Sequence, residues 1–184
     1  MILNLKLFKL RLRILFNSLT GKIKKNLPDI ELSSSGHLSR KILIFFPFDE
    51  PSFRVASYSF RNLRSHNIEH NEYTFVVVSR FSHIFHFQRG NTILIDTDRK
   101  KRNKIVNEES ILSQLEMTPY DMIVDLNSDF NLDIARILSH LTASLKVGFK
   151  SKFSDLFYNI QLDISNTVIT EKRFQRIHIM LSGS

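Results

Sequence analysis

The chain has 184 residues, of which 42% are hydrophobic and 16 are Phe, so it can build a packed core and wholesale disorder is excluded. Cysteine is absent, which excludes disulfides and thiolate metal sites. The net charge of +8 is concentrated in residues 1–28, where seven Lys and Arg occur without an acid, and the rest of the chain is nearly neutral. Charge-driven binding is therefore predicted for this N-terminal arm and not for the body.

The N-terminal arm, residues 1–28, has the pattern of a basic amphipathic helix. On a helix, one apolar stripe is formed by Leu5, Phe8, Leu12, Leu15, Phe16, Leu19 and Ile23. The other side carries Lys6, Lys9, Arg13 and Lys24. These charges exclude a transmembrane span, which needs about 20 mostly apolar residues. The arm also lacks the uninterrupted apolar core and the cleavage site of a signal peptide.

Two interpretations of the arm stay open. In the first, the stripe packs on the domain or on a partner and the cations face water. In the second, the helix lies on an anionic membrane surface, where each cation contributes on the order of 1 kcal/mol. The membrane-binding residues would then be Lys6, Lys9, Arg13, Lys24, Phe8, Leu12 and Phe16. Nucleic acid is a weaker third candidate, through the arm and the charged segment 98–104, because interleaved aromatic stacking residues are not evident.

Strand and helix patterns alternate after a linker over residues 29–40. Strands are predicted at 41–46, 74–79, 92–96, 122–126, 145–149 and 160–164. Helices are predicted at 53–67, 107–117, 132–141 and 171–181, with a helical turn at 153–158 and an ambiguous segment at 80–87. This alternation predicts one Rossmann-like α/β domain over residues 41–184, with an open, mostly parallel sheet flanked by helices.

Two polar turns follow strands of the predicted sheet. In open parallel sheets, ligands bind beyond the carboxyl ends of the strands. Phe48 to Ser52 follow the first strand, and Asp125 to Asn131 follow a later one. The residues predicted to bind a ligand are Asp49, Ser52, Asp125 and Asn127. The alternative is helix capping, in which Ser128 or Asp129 caps a helix that begins near Phe130.

Motifs for nucleotide and metal binding are missing. The five glycines form neither G-x-G-x-x-G nor G-x-x-x-x-G-K, so backbone cradling of a diphosphate has no visible means. The pairs His66–His70 and His83–His86 have helical spacing, but zinc needs a third or fourth ligand. No cofactor and no metal are therefore expected, and surface or packing roles are favoured for the histidines.

The segments Lys41–Ile44, Tyr120–Leu126 and Leu145–Phe149 resemble the N-terminal half of heptosyltransferase-like glycosyltransferases of the GT-B, ADP-heptose type. The resemblance covers residues 40–165, and the chain also looks like small bacterial proteins made of one such half with a basic N-terminal helix. It implies that this half holds the acceptor, usually a lipid-linked sugar at the inner membrane, and that a second half holds the nucleotide sugar. It also implies a cytoplasmic protein, with a peripheral place at the inner face of that membrane.

The resemblance further implies an Asp general base in a Gly-Asp pair after the first strand. The matching positions here are Pro51 and Ser52, and a serine does not accept a proton near neutral pH without another base. Asp49 and Glu50 are the nearby candidates for the catalytic role.

Because the chain ends at Ser184, the donor-binding half is expected from a separate donor-half protein. Two functions stay open. One is a glycosyltransferase-like, acceptor-side or degenerate protein of cell-envelope polysaccharide or glycolipid biogenesis. The other is a non-catalytic membrane-peripheral scaffold.

Overall fold

The computed structural model describes residues 2–24, 27–28, 40–61, 71–85, 90–98, 100, 104–164 and 170–182. The helices are α1 Ile2–Leu19, α2 Glu50–Phe60, α3 Glu108–Leu115, α4 Leu132–His140 and α5 Thr170–Ser182. The strands are β1 Lys41–Phe45, β2 Glu72–Val78, β3 Asn91–Ile95, β4 Thr97–Asp98, β5 Lys104–Ile105, β6 Tyr120–Asp125, β7 Ala143–Phe149 and β8 Ile160–Leu162. Short 3-10 turns cover Ser79–Ile84 and Ser154–Leu156.

Six of the described strands form one sheet in the order β3-β2-β1-β6-β7-β8. Every neighbouring pair in this sheet is parallel. The order runs one way from β1 to β3 and the other way from β6 to β8, so it reverses between β1 and β6. Ligands of open α/β sheets bind at such a switch point, beyond the carboxyl ends of the strands. The predicted fold class is confirmed.

Helices cover both faces of the sheet. Lys146 and Phe149 on β7 point to opposite faces, because side chains alternate along a strand. Lys146 Nζ donates to the Leu138 carbonyl of α4 at 2.8 Å, and the Phe149 ring lies 6.3 Å from the Phe174 ring of α5. α3 packs against α4 and α2 packs against α5. This burial on both faces explains why the strands are continuous apolar runs in the sequence.

Much of the phenylalanine content forms one aromatic cluster between β1, β2 and α2. Its rings pack in tilted and edge-to-face pairs with centroids 4.9–6.2 Å apart, the arrangement that aromatic quadrupoles favour. The members are Phe46, Phe53, Phe60, Phe75, Phe81 and Phe85. The cluster lies directly under the turn that follows β1 and gives that turn a rigid base.

α1 packs on the body by a face that the sequence analysis did not predict. Ile14 and Asn17 are buried and Leu10 packs against the core. The predicted stripe is instead 51–79% exposed, and we call the following residues the outward stripe: Leu5, Phe8, Leu12, Leu15, Phe16 and Leu19. The interpretation that this stripe packs on the domain is therefore wrong. Ile23, its seventh predicted member, is buried beyond the end of the helix.

The segment after α1 contacts the end of α4. The Lys24 N–H donates to Ser139 Oγ at 3.2 Å, and His140 Nε2 lies 3.3 Å from the Lys22 carbonyl oxygen. These contacts place the segment after α1 beside the carboxyl-terminal end of α4. Within the described ranges, none of the helices is both long enough and apolar enough to cross a membrane.

Three details of the elements differ from the predictions. α2 begins at Glu50, three residues earlier than predicted, and residues 62–67 of the predicted helix lie outside the described residues. α4 begins at Leu132 and is capped by Asn131, so the prediction that Ser128 or Asp129 caps it is wrong. The antiparallel pair β4–β5 was not predicted, because two-residue strands leave no periodic pattern.

Candidate functional site

The turn after β1 is held from both sides at the switch point. The backbone N–H of Phe48 donates to Asn127 Oδ1 at 2.9 Å, and the Phe48 carbonyl accepts from Arg80 Nη2 at 2.7 Å. Asn127 follows β6 and Arg80 follows β2, the two strands that flank β1. The ends of three adjacent strands are thus tied together through one residue. We call this arrangement the Phe48 clamp.

Asp125 supports the Phe48 clamp through hydrogen bonds with Asn127. It ends β6 and is 3% exposed. Its Oδ1 accepts from the Asn127 backbone N–H at 2.9 Å and from Asn127 Nδ2 at 2.8 Å. The same Nδ2 also donates to the Phe46 carbonyl at 3.3 Å. Asp125 therefore fixes the orientation of the Asn127 amide, and that amide in turn fixes the turn after β1.

The second carboxylate oxygen of Asp125 is held by a tyrosine. Tyr158 donates its hydroxyl to Asp125 Oδ2 at 2.6 Å, and both side chains are buried. The Tyr158 ring fills the space beside Gly148, where an added Cβ would lie 2.7 Å from ring carbons. A residue larger than glycine at position 148 would therefore displace the tyrosine. Tyr158 is thus brought from a second segment of the chain to Asp125 and Asn127 at the end of β6.

Burial governs the acid–base behaviour of this pair. It raises the pKa of Asp125 above its ordinary value, although hydrogen bonds from Tyr158 and Asn127 act in the opposite direction. Burial, together with the adjacent carboxylate, raises the pKa of Tyr158 well above its ordinary value. The hydrogen bonds of Asp125 are directed at protein groups, which suits a carboxylate that organises the site.

The predicted residues of the first turn lie at the rim of the site. Asp49 is exposed, and its Oδ1 caps α2 by accepting from the Ser52 N–H at 2.9 Å. Ser52 is partly buried in the first turn of α2. Glu50 is exposed and pairs with Arg54 at 2.7 Å, four residues along the helix. Of the two candidates for the catalytic role, Asp49 lies next to the Phe48 clamp and Glu50 is directed along α2.

Sequence reasoning missed Arg80 and the polar groups around it. Arg80 donates from Nη1 to Thr97 Oγ1, and its guanidinium lies 4.5 Å from the centre of the Phe81 ring. Ser79 Oγ donates to Asp96 Oδ1 at 2.5 Å. These residues come from the ends of β2 and β3 and extend the polar edge beyond the switch point. The segment 80–87 had no strand or helix period, so its position at the sheet edge was not visible.

The structure brings no group of three or more His, Asp or Glu side chains into an arrangement that could hold a metal ion, as far as the described residues extend. His66, His70 and His86 lie outside those residues, as do Arg99 and residues 101–103 of the charged segment. The polar edge therefore offers hydrogen-bond donors and acceptors together with one guanidinium. Such groups recognise hydroxyl-bearing ligands.

No protein-family model matches the sequence, and no curated protein sequence matches it. Solved structures do match its fold. The E. coli heptosyltransferase WaaC with ADP is 15% identical with a TM-score of 0.61, over 76% of this chain and 47% of that one. The same enzyme with ADP-2-deoxy-2-fluoro heptose is 16% identical with a TM-score of 0.58, over 78% of this chain and 48% of that one.

A glycosyl transferase family 9 protein from Veillonella parvula is 13% identical with a TM-score of 0.62, over 81% of this chain and 43% of that one. The chain thus spans less than half the length of each of these proteins. At these identities the likeness concerns the fold. The resemblance predicted from the sequence is confirmed at that level: the chain has the Rossmann-like fold of one half of a heptosyltransferase-like glycosyltransferase.

Proposed function

We propose that this chain is the acceptor-side lobe of a heptosyltransferase-like glycosyltransferase and binds the sugar of a glycolipid or polysaccharide acceptor. The observation that carries the proposal is the Phe48 clamp, which fixes a polar turn at the switch point of a sheet with the heptosyltransferase fold. Rigid presentation of hydrogen-bonding groups is what a binding site needs, because little entropy is then lost when the ligand arrives.

Asp49, Ser52 and Asn127 are the contacts that we assign to the acceptor. Asp49 caps α2 and Ser52 lies in its first turn, both at the rim, and the side chain of Asn127 lies between the ends of β1 and β6. Asp125 acts on the acceptor through Asn127, since its own oxygens bind Asn127 and Tyr158. Carboxylate, hydroxyl and amide groups together match the alternating donors and acceptors of a sugar.

Transfer needs a second lobe that grips the nucleotide sugar. In that reaction an acceptor hydroxyl oxygen bonds to the anomeric carbon, and the nucleoside diphosphate leaves with the electrons of the broken bond. The hydroxyl proton passes to a base, for which our candidate is Asp49, an exposed carboxylate next to Phe48. In this proposal, the described residues supply only the acceptor side of that reaction. With such an acceptor, the proposed role belongs to cell-envelope biogenesis, at the cytoplasmic face of the inner membrane.

A water-soluble, deacylated lipid-A-type sugar tests the binding step by titration calorimetry. Asp49→Asn combined with Ser52→Ala is expected to weaken binding about tenfold, since hydrogen bonds to charged groups contribute about 1.5–3 kcal/mol. Glu72→Gln is the matched control, because Glu72 is exposed at the amino end of β2, on the opposite edge. Equal loss in both variants, or no binding by the wild-type chain, would overturn the proposal.

Adding a nucleotide sugar to the same mixture distinguishes an acceptor-side role in sugar transfer from a non-catalytic scaffold. The chain by itself is expected to release no nucleoside diphosphate, because its sequence has no glycine-rich loop to hold one. Release by the purified 184-residue chain would contradict the assignment of these residues to the acceptor side alone. Acceptor binding without transfer, even after addition of a donor lobe, would favour the non-catalytic scaffold instead.

A further inference from the structure

α1 carries apolar residues on two opposite sides, and only one of them is used by the body. Leu10 and Ile14 face inward against the core, with Leu7 on the same side. At 3.6 residues per turn, the centre of the outward stripe lies about half a turn away from these residues. Phe8 and Phe16 in the outward stripe are 59% and 63% exposed. Within the described part of the chain, no other helix exposes so many large apolar side chains.

Exposed cations border the outward stripe on both sides. Arg11 projects along one border, and Lys6, Lys9 and Arg13 project along the other. Lys22 and Lys24 continue the basic surface beyond the helix. The sequence has no acid between residues 1 and 28, so nothing within the arm neutralises them. An apolar stripe between rows of Lys and Arg is the composition of helices that lie in the surface of an anionic bilayer.

A groove at the start of α1 continues this surface toward the site. It has a volume of about 420 Å³. α1 contributes Leu7, Phe8 and Arg11 to its walls. The segment after β7 contributes Lys152, Phe153, Asp155 and Leu156. Because that segment follows the carboxyl end of β7, α1 begins at the same edge of the sheet as the Phe48 clamp.

Charge decides between the possible occupants of the stripe. A second copy of the chain, meeting stripe to stripe, would bring two arms of seven cations each into contact. The cations of the two arms would then lie close together and repel each other. An anionic lipid surface instead attracts every one of these cations and accepts the apolar side chains between them.

We infer that the outward stripe of α1 is a docking surface for an anionic phospholipid bilayer. Phe8, Leu12 and Phe16 enter the boundary between headgroups and acyl chains, and the bordering cations bind lipid phosphates. The helix then lies in the plane of the surface, with the groove and the carboxyl edge of the sheet beside the lipid. The inference stands on α1 alone, so it does not depend on the proposed sugar chemistry.

Vesicle flotation of the full chain tests the docking surface. Vesicles of phosphatidylcholine alone are compared with vesicles that contain phosphatidylglycerol in equal amount. The chain is expected to float with the anionic vesicles and to be released by high salt. Phe8→Asn combined with Phe16→Asn is expected to weaken this binding about tenfold or more, because apolar area is no longer buried.

Tyr58→Asn combined with Ile179→Asn is the matched control. These side chains are 56% and 54% exposed, on α2 and α5, and α5 covers the face of the sheet opposite to α4. The chain has no Trp, so Phe8→Trp supplies a single fluorescent reporter. Its emission is expected to shift to shorter wavelength with anionic vesicles, whereas a Tyr58→Trp reporter is expected not to shift.

Three results would overturn the inference. The first is equal flotation of the two double variants, and the second is no flotation of the wild-type chain with anionic vesicles. The third is a wild-type dimer in sedimentation that Phe8→Asn with Phe16→Asn converts to a monomer, since the stripe would then belong to a second copy. Circular dichroism of each variant checks that the helices are retained.

Discussion

Asn127 reaches from the end of β6 to the backbone of Phe48, and 79 positions of the chain separate the two residues. Asn127→Ala removes the acceptor of the Phe48 N–H together with the donor to the Phe46 carbonyl. The free energy of unfolding is expected to fall by about 1–3 kcal/mol, because buried polar groups lose their partners. Urea denaturation measures this loss. Ser128→Ala, in the same turn, is the control and is expected to change stability little.

Amide hydrogen exchange measures the local effect of Asn127→Ala on the turn after β1. The Phe48 N–H is expected to exchange faster in Asn127→Ala than in the wild-type chain, relative to amides in the centre of β7. Unchanged protection of this N–H would show that the Phe48 clamp does not hold the turn.

Gly148 and Tyr158 are expected to act as one unit. Gly148→Ala places a methyl group where the Tyr158 ring lies, and Tyr158→Phe removes the hydroxyl that binds Asp125. Each variant is expected to lose about 1–3 kcal/mol of stability. The double variant is expected to lose clearly less than the sum, since both changes break the same hydrogen bond. Additive losses in the cycle would contradict this coupling.

The buried Lys146 is expected to make its contribution to the free energy of unfolding increase in alkaline solution. Burial lowers the pKa of Lys146 to about 8, whereas the pKa of a lysine in the unfolded chain is about 10.4. Between these values the unfolded chain binds more protons than the folded one, so the contribution of Lys146 to stability increases with pH. The free energy of unfolding of the wild-type chain is therefore expected to rise relative to Lys146→Met over this window. A difference that stays constant with pH would refute the prediction, and the exposed Lys150→Met is the control.

Two arginine pairs are expected to differ in their effect on stability. Arg136 joins α4 to α3 through Glu108 and also lies 3.2 Å from Asp133, with side chains only 13–22% exposed. Arg54 and Glu50 form a pair that is more than half exposed. Arg136→Met is expected to cost about 2–4 kcal/mol, and Arg54→Met less than about 0.5 kcal/mol. Thermal denaturation of both variants tests the contrast, and comparable losses would contradict it.

The sheet could be predicted because its strands are buried on both faces. Residues 42–45 and 122–124 are continuous apolar runs, the second of which ends at Asp125, and no amphipathic helix has that pattern. The predicted start of α4 at residue 132 is correct, but its cap was not identified, because Ser128, Asp129 and Asn131 are all good caps and only geometry selects Asn131. Local patterns thus determined the elements more closely than their boundaries.

The site could be predicted only in part, because its geometry depends on distant segments. Asp125 and Asn127 were found from their position after a strand. Tyr158, which binds Asp125, and Arg80, which binds the Phe48 carbonyl, come from segments without a clear period. The packed face of α1 was likewise not predicted, and the sequence left two interpretations of its stripe open. Both of its faces have helical spacing, and only the body decides which of them is covered.

Because of the Phe48 clamp, positions 48 and 127, which are in contact, differ in their tolerance to substitution. Phe48 is tied through its peptide group, so any apolar residue of similar volume that packs there keeps both hydrogen bonds. Position 127 needs a donor and an acceptor on one short side chain, which asparagine provides and glutamine carries one methylene too far. Saturation mutagenesis of the two codons is therefore expected to yield many tolerated residue types at position 48. At position 127 it is expected to yield almost none besides asparagine.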